Sequence, residues 1–300
     1  SFARSCLDSA LKGRYRFLNG LVAPHTCDTV RNLFEILRGQ FKDKYLHFIN
    51  LPHIRSGKAL NFFVEELYRF KESLEAFFKV EISDELLKRS IETYNENGRL
   101  LRKIYDLRTE SPPPISGSEV LKIVLTSMVT FKEEHNELVR SFLKEYEANA
   151  SSEERGPRLH LSGSVLYDVE LLKLIEESGG TIVSDDLCTG TRYFWDEVKT
   201  TQNPMKAIAE RYLEKVPCLC VYPHEDRTRH IEEMIKRYRA DGVLFLIQKY
   251  CDPYLFEYPY ICRMLKENGI PHLSVEVEHR VAGVEQLKNR VKAFLEMLGG

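Results

Sequence analysis

Ala240-Asp-Gly-Val-Leu-Phe-Leu-Ile-Gln-Lys-Tyr-Cys-Asp-Pro-Tyr254 is the stretch that decides the fold. Val243 to Ile247 is an unbroken apolar run of strand length, the pattern of a parallel strand buried on both faces. The run stops at Gln248-Lys249-Tyr250 and then presents Cys251, Asp252 and Pro253. Proline suits the first turn of a helix, where its missing N–H is no loss. Cys251 is therefore expected in a strand-to-helix loop at the carboxyl edge of a sheet, where open α/β sheets place their ligands. The N-terminus of a helix also favours the thiolate, the form of cysteine that ligates metal.

From Pro157 to the end the same alternation repeats. Strands are expected at Arg158–Leu161, Thr181–Ser184, Cys218–Tyr222, Val243–Ile247 and His272–Val277, with helices between them and a last helix at Val284–Leu298. Five βα units describe a flavodoxin-like, doubly wound domain over residues 157–300. Its post-strand loops would line one edge: Ser162-Gly163-Ser164, Asp185-Asp-Leu-Cys-Thr-Gly190, Pro223-His-Glu-Asp226, Cys251-Asp252 and Glu278-His279. Gly163 and Gly190 suit turns that need positive φ, and Asp185-Asp186 suits a helix cap. Cys218 and Cys220, two apart on a strand, share a face and read as core rather than as a Cys-x-x-Cys metal site. Cys262, inside the helix after Pro253, reads as packing.

Toward the N-terminus, Gly20–Ala23 is a strand, Pro24-His-Thr-Cys-Asp28 a loop, Thr29–Arg38 a helix and Tyr45–Leu51 a second strand. This βαβ pattern implies a parallel sheet. Ser1–Leu11 reads as a helix without a strand leading into it, so residues 1–55 are expected to be the C-terminal part of a first α/β domain that begins upstream. Cys27 repeats the grammar of Cys251: strand, loop, Cys-Asp, helix. Two cysteines in one setting point to ligands that could converge in space, because thiolate ligands need loop positions rather than strand interiors.

Residues 56–156 change character and become helical. Leu60, Val64, Leu67, Leu74 and Phe78 recur at helical spacing, and Ser83 caps a second helix with Asp84 and Glu85 in its first turn. Ser111-Pro-Pro-Pro-Ile-Ser-Gly-Ser118 breaks the pattern. A long helix follows from Glu119 and fades into a polar linker, Ala148 to Gly156. His135 reads as part of a solvated helix face.

Composition narrows the function classes. A net charge of -2 excludes a chain that is basic overall, so no nucleic-acid partner is expected. No apolar run reaches the ~20 residues that span a bilayer, so no membrane partner is expected. Seven cysteines, an odd set without regular spacing in a chain of this size, read as reduced thiols of a cytoplasmic protein. Neither Gly-x-Gly-x-x-Gly nor a Walker motif occurs, so a nucleotide fingerprint is not supported.

Five stretches together carry a resemblance: Ser1-Phe-Ala-Arg-Ser5, Leu7-Asp-Ser-Ala-Leu-Lys-Gly13, Pro24-His-Thr-Cys-Asp28, Asp185-Asp-Leu-Cys-Thr-Gly190 and Tyr250-Cys-Asp-Pro253. Their order and separations resemble the 2-hydroxyacyl-CoA dehydratase / benzoyl-CoA reductase family. The opening block looks most like the small subunits of ATP-dependent benzoyl-CoA reductases. The resemblance covers essentially the whole chain, helical insert included. It implies an α/β fold of two flavodoxin-like parallel-sheet domains with an intervening helical segment. It also implies a [4Fe-4S] cluster held by three cysteines with one iron left open, and an acyl-CoA substrate. The partners it implies are a sister subunit or second copy and an ATP-dependent iron–sulfur activator protein that delivers low-potential electrons. Those electrons drive loss of water from a 2-hydroxyacyl-CoA or reduction of an aromatic acyl-CoA ring. A thioester carbonyl accepts an electron only where iron or a nearby donor stabilises its oxygen.

Carried over by residue, Cys27 and Cys251 match the second and third cluster cysteines. In related subunits the first stands directly before the Ser-Phe-Ala-Arg-Ser block. The expectation is that this sequence is cut just after that ligand, with Cys6, one helical turn on, as the candidate replacement. Two other readings stand beside it. Cys188 and Cys220 match in part the homodimeric relatives that hold a double-cubane cluster, although the Gly-Lys-Lys-Lys run usual after Cys-Asp in that subgroup does not follow Cys27-Asp28. A structural or interaction subunit that kept the fold and lost the cluster is the other.

Overall fold

The computed structural model describes residues 2–41, 43–149, 156–199, 203–216, 218, 220–278 and 284–299. Ser1 of the opening block, residues 150–155 of the expected linker, Leu219 and His279 lie outside the described residues. In chain order the elements are α1 (Phe2–Leu11), β1 (Gly20–Pro24), α2 (Asp28–Arg38), β2 (Tyr45–Ile49), α3 (Gly57–Phe78), α4 (Asp84–Asp106), α5 (Gly117–Val129) and α6 (Lys132–Asn149). There follow β3 (Arg158–Gly163), α7 (Val169–Glu177), β4 (Thr181–Asp185), α8 (Thr191–Phe194), α9 (Pro204–Glu214), α10 (Glu225–Tyr238), β5 (Gly242–Gln248), α11 (Asp252–Glu267), β6 (His272–Val277) and α12 (Val284–Gly299). No helix among the described residues is long and apolar enough to cross a membrane.

The chain divides into two compact units. The first comprises Ser1–Ile91 and Val198–Pro223, the second Glu92–Glu197 and His224–Gly300. In the first unit β1 and β2 pair in parallel, from Gly20 opposite Tyr45 to Pro24 opposite Ile49. This is the expected βαβ arrangement. Helix α3 starts where the Ser56 hydroxyl accepts a hydrogen bond from the Ala59 N–H at 3.1 Å, occupying one of the donors a helix start leaves unpaired. Its Phe63 and Leu67 are buried against Met205 and Ala209 of α9. Each fully buried side chain of this kind stabilises the fold by roughly 2 kcal/mol.

Cys218–Tyr222, expected as a strand, belongs to this first unit and is not one. Of its described residues only Tyr222 pairs, through a single parallel bridge to Ile54 in which its N–H donates to the His53 carbonyl at 2.9 Å. Pro217 and Pro223 bracket the stretch, and proline has no N–H for a ladder. Cys218 and Cys220 are half-buried and do not sit on a sheet face.

The second unit holds a four-stranded, all-parallel sheet in the order β4-β3-β5-β6, one strand short of the five expected. The order reverses between β3 and β5, the switch point of a doubly wound sheet. Side chains alternate across it. Leu159, Leu161, Leu244 and Leu246 join α7 and α12 in one core through Leu171, Ile175, Val291 and Phe294. On the other face Val183 joins Leu101, Ile104, Val124 and Met234 of α4, α5 and α10. Burial on both faces is why the strand at 243–247 carries no polar residue.

Three local readings are corrected. Gly163 and Gly190 do not occupy positive φ. They permit close approach instead: a Cβ on Gly163 would lie 2.6 Å from the Leu246 carbonyl oxygen, and one on Gly190 would collide with the Asp185 carboxylate. The helix expected to run on from Glu119 is two helices, α5 and α6, broken at the extended Thr130. There the Lys132 ammonium turns back to hydrogen-bond the Ser127 carbonyl at the end of α5. His135, expected to face solvent, is buried. It donates through Nε2 to the Ile123 carbonyl at 3.0 Å and accepts at Nδ1 from the Asn97 amide at 2.7 Å.

Candidate functional site

In the first unit the chain leaves β1 at Pro24 and reaches α2 through His25, Thr26 and Cys27. Cys27 is the N-cap, in extended conformation (φ -160°), and its carbonyl accepts the Arg31 N–H at 3.1 Å. Its thiol does not cap the helix and is half-buried. Two imidazoles accompany it. The rings of His25 and His53 lie 5.0 Å apart, and His53 Nε2 donates to the His25 carbonyl at 2.9 Å. Burial, then the like charges of His53 and Arg31, hold His25 below its ordinary value. The sequence signal for this pair is the position of each histidine just past a strand end.

In the second unit β5 ends at Gln248, whose side-chain amide donates to the Val165 carbonyl at 3.2 Å. Tyr250 then takes a left-handed conformation (φ 65°), sparsely populated for a bulky residue. The Cys251 N–H closes the turn onto the Gln248 carbonyl at 3.0 Å. Cys251 is the N-cap of α11, with Pro253 in the first turn, and its carbonyl accepts the Tyr254 and Leu255 N–H groups at 3.0 and 3.1 Å. Here too the thiol is half-buried and does not cap the helix. The loop expected from sequence is the loop observed.

Beneath this loop lies a buried polar network that the sequence reading missed. Arg227 of α10 is fully buried. It donates through Nε and Nη2 to Asp186 at 3.0 and 2.7 Å and forms a close ion pair with Glu257 of α11. Tyr254, also fully buried, meets the Ser162 hydroxyl at 2.7 Å at the end of β3, with the Arg227 guanidinium 5.2 Å over its ring. His160 Nε2 lies 3.8 Å from Asp186, and the Arg192 guanidinium donates to the Gly163 carbonyl. Burial pushes the Asp186 carboxyl up, but Arg227, His160 and Arg192 outweigh it and hold the group well below the usual carboxylate range. Burial lowers His230 to about 4, with its Nε2 3.2 Å from the Thr191 hydroxyl. The cap expected of Asp185-Asp186 is met only in part: the N-cap of α8 is Gly190, Asp185 accepts the Thr191 N–H at 3.0 Å and the Tyr105 hydroxyl at 2.5 Å, and Asp186 holds Arg227 instead.

The remaining cysteines are less alike. Cys6 lies within α1, where burial pushes its thiol up against a partial offset by a hydrogen bond with Tyr15. Cys188 is half-buried in the loop after β4, its N–H donating to the Ser164 carbonyl at 3.0 Å. Cys262 is buried inside α11 and hydrogen-bonded to Tyr258, the packing role expected of it. Within either unit, among the described residues, no three His, Cys, Asp or Glu side chains are grouped to hold a metal ion. The donor chemistry at Cys27 and Cys251 nevertheless fits an iron–sulfur group. Both are thiols outside any disulfide, each at the junction of a strand-to-helix loop with a helix start, the kind of position from which cysteines hold such clusters.

Comparison with known proteins gives one consistent answer. The sequence profile of the family described as 2-hydroxyglutaryl-CoA dehydratase, D-component, matches residues 1–298. A benzoyl-CoA reductase subunit of Thauera aromatica is 28% identical, over 98% of this chain and 78% of its own length. The (R)-phenyllactyl-CoA dehydratase beta subunit of Clostridium sporogenes is 28% identical, over 99% and 80%. The (R)-2-hydroxyglutaryl-CoA dehydratase beta subunit of Acidaminococcus fermentans is 25% identical, over 99% and 80%.

Proposed function

We propose, from the premise that the chain belongs to the 2-hydroxyglutaryl-CoA dehydratase D-component family, that it is the iron–sulfur subunit of an oxygen-sensitive CoA-thioester enzyme. The reaction is either dehydration of a 2-hydroxyacyl-CoA or reduction of a benzoyl-CoA-like ring, the two chemistries that the names of its relatives carry. The observation that supports this most directly is the repetition of one motif in two units. Cys27 and Cys251 each follow a parallel strand, precede an aspartate, start a helix and leave the thiol uncommitted to capping. Cys27 and Cys251 would hold a [4Fe-4S] cluster, with Cys6 as the candidate third ligand. Such a cluster supplies a low-potential electron and, at an open iron, a Lewis acid for the thioester carbonyl.

Helices α2 and α11 begin at the two cysteines, so their positive ends would face the negative charge of a cluster held there. Relatives named as subunits support a sister subunit or second copy as partner, and the electron demand calls for an ATP-dependent activator protein. The reading implies a cytoplasmic location.

The test is anaerobic purification followed by iron analysis and turnover. A brown protein with about four irons per chain, active with benzoyl-CoA or a 2-hydroxyacyl-CoA once activator and partner are added, is the expected result. A colourless, iron-free protein prepared under the same conditions would leave the structural-subunit reading in its place.

A further inference from the structure

Cys251 is braced from both sides. On the strand side Gln248 reaches the loop after β3 at Val165, and Lys249 pairs with Glu278 beyond β6 at 2.7 Å. On the helix side, Tyr254 lies one turn after Cys251 and Glu257 one turn further. Both side chains are buried, although a tyrosine hydroxyl and a carboxylate are expensive to desolvate. Each has a single dominant partner. Tyr254 meets Ser162 at 2.7 Å, and Glu257 meets Arg227, which is itself tied to Asp186 just past β4. The first two turns of α11 are thus anchored to the ends of β3 and β4 by directional bonds, where apolar contacts would have allowed sliding. Apolar residues of similar shape would stabilise such a position as well or better, so the polar choice calls for a reason other than stability.

We propose that Tyr254, Glu257 and Arg227 are positioning residues for Cys251: they fix the start of α11 so that the thiol is presented at one place on the carboxyl edge. The role rests on the reading of Cys251 as a cluster ligand, but its consequence for the thiol does not need the cluster. Tyr254→Phe removes one oxygen and keeps the ring, and Ser162→Ala removes its partner.

The experiment uses the full chain in chelator and follows alkylation of Cys251 by iodoacetamide with site-resolved mass spectrometry. Cys27, in the other unit, serves as the internal reference. Tyr254→Phe and Ser162→Ala should each raise the Cys251-to-Cys27 rate ratio about fivefold, the weight of one buried hydrogen bond. The double variant should rise no further, because the two share one bond. Glu257→Gln should raise the ratio as well, with the far-ultraviolet circular dichroism unchanged. An unchanged ratio in all three single variants overturns the proposal. So does an equal rise at Cys27 and Cys188, which would mean general loosening. Iron analysis of Cys251→Ser against wild type decides the cluster reading separately, so the two failures are distinguishable.

Discussion

The two sulfurs at Cys27 and Cys251 start helices, whereas the sulfur of Cys262 is buried inside one against Tyr258. Serine at either of the first two should bleach the broad visible absorbance of anaerobically purified protein, and serine at Cys262 should leave it intact. Equal iron in all three variants would sink the ligand assignment. A second expectation concerns acid. His230 is buried, with a folded value of about 4 against an ordinary 6.5. Between these values the unfolded chain binds a proton that the native one does not, so its contribution is full above pH 6.5 and lost as the pH falls toward 4. The loss amounts to about 3 kcal/mol for this group. Urea unfolding at pH 7.5 and pH 4.5 should show it, and His230→Gln should shrink the difference; an undiminished difference would rule His230 out as its source. The placement of Cys27 and Cys251 at helix starts was legible because each follows an apolar run and a break in it. Arg227, Glu257 and His135 were not, because charged and polar side chains are read as solvent-facing by default. A signal did exist: Arg227 and His230 continue the buried stripe of Ile231, Met234 and Tyr238, and Glu257 lies on the stripe of Tyr254, Ile261 and Leu265.

Among the elements, the parallel strands were the easiest to read, since apolar runs bounded by glycine, proline or acidic residues admit few other interpretations. Cys218–Tyr222 is not a strand because a run of β-type residues does not fix its partner, and the prolines at 217 and 223 supply no N–H to a ladder. The break between α5 and α6 left no proline or glycine in the sequence. It is made by the extended Thr130 and by Lys132 capping the preceding helix. Helix α11 carries its own expectation. Tyr250 holds a left-handed conformation two residues before it and is 76% exposed, so the side chain contributes little packing against a backbone penalty of about 1 kcal/mol. Tyr250→Gly should raise stability by about 0.5 kcal/mol and Tyr250→Val should lower it, read as shifts in the urea midpoint. A destabilised glycine variant would mean that the ring is held by contacts worth more than the strain.

For the molecule as a whole, the proposed function would put an iron open to substrate, and so to oxygen, at the site, and enclosure by a second subunit would protect it. The protein should therefore sediment as a dimer, with itself or with a sister subunit. A species that stays monomeric both alone and in the presence of that subunit would count against the proposed function. The α/β character and the parallel sheets were plain from the alternation of strand and helix patterns. The return of residues 198–223 to the first unit was not, because the contact of α9 with α3 pairs side chains that no local pattern connects. That return bears on how the chain is made. Synthesis normally lets an N-terminal domain fold before the next one emerges. Here Phe63 and Leu67 wait for Met205 and Ala209, about 140 residues later, on the order of ten seconds at the pace of a ribosome. Through that interval Phe63 and Leu67 lack these α9 partners, although β2 already meets α3 through Tyr45 with Phe77 and Phe78 and through His47 with Phe70. The first unit is therefore completed only after the second has begun, since β3 and β4 precede α9 in the chain.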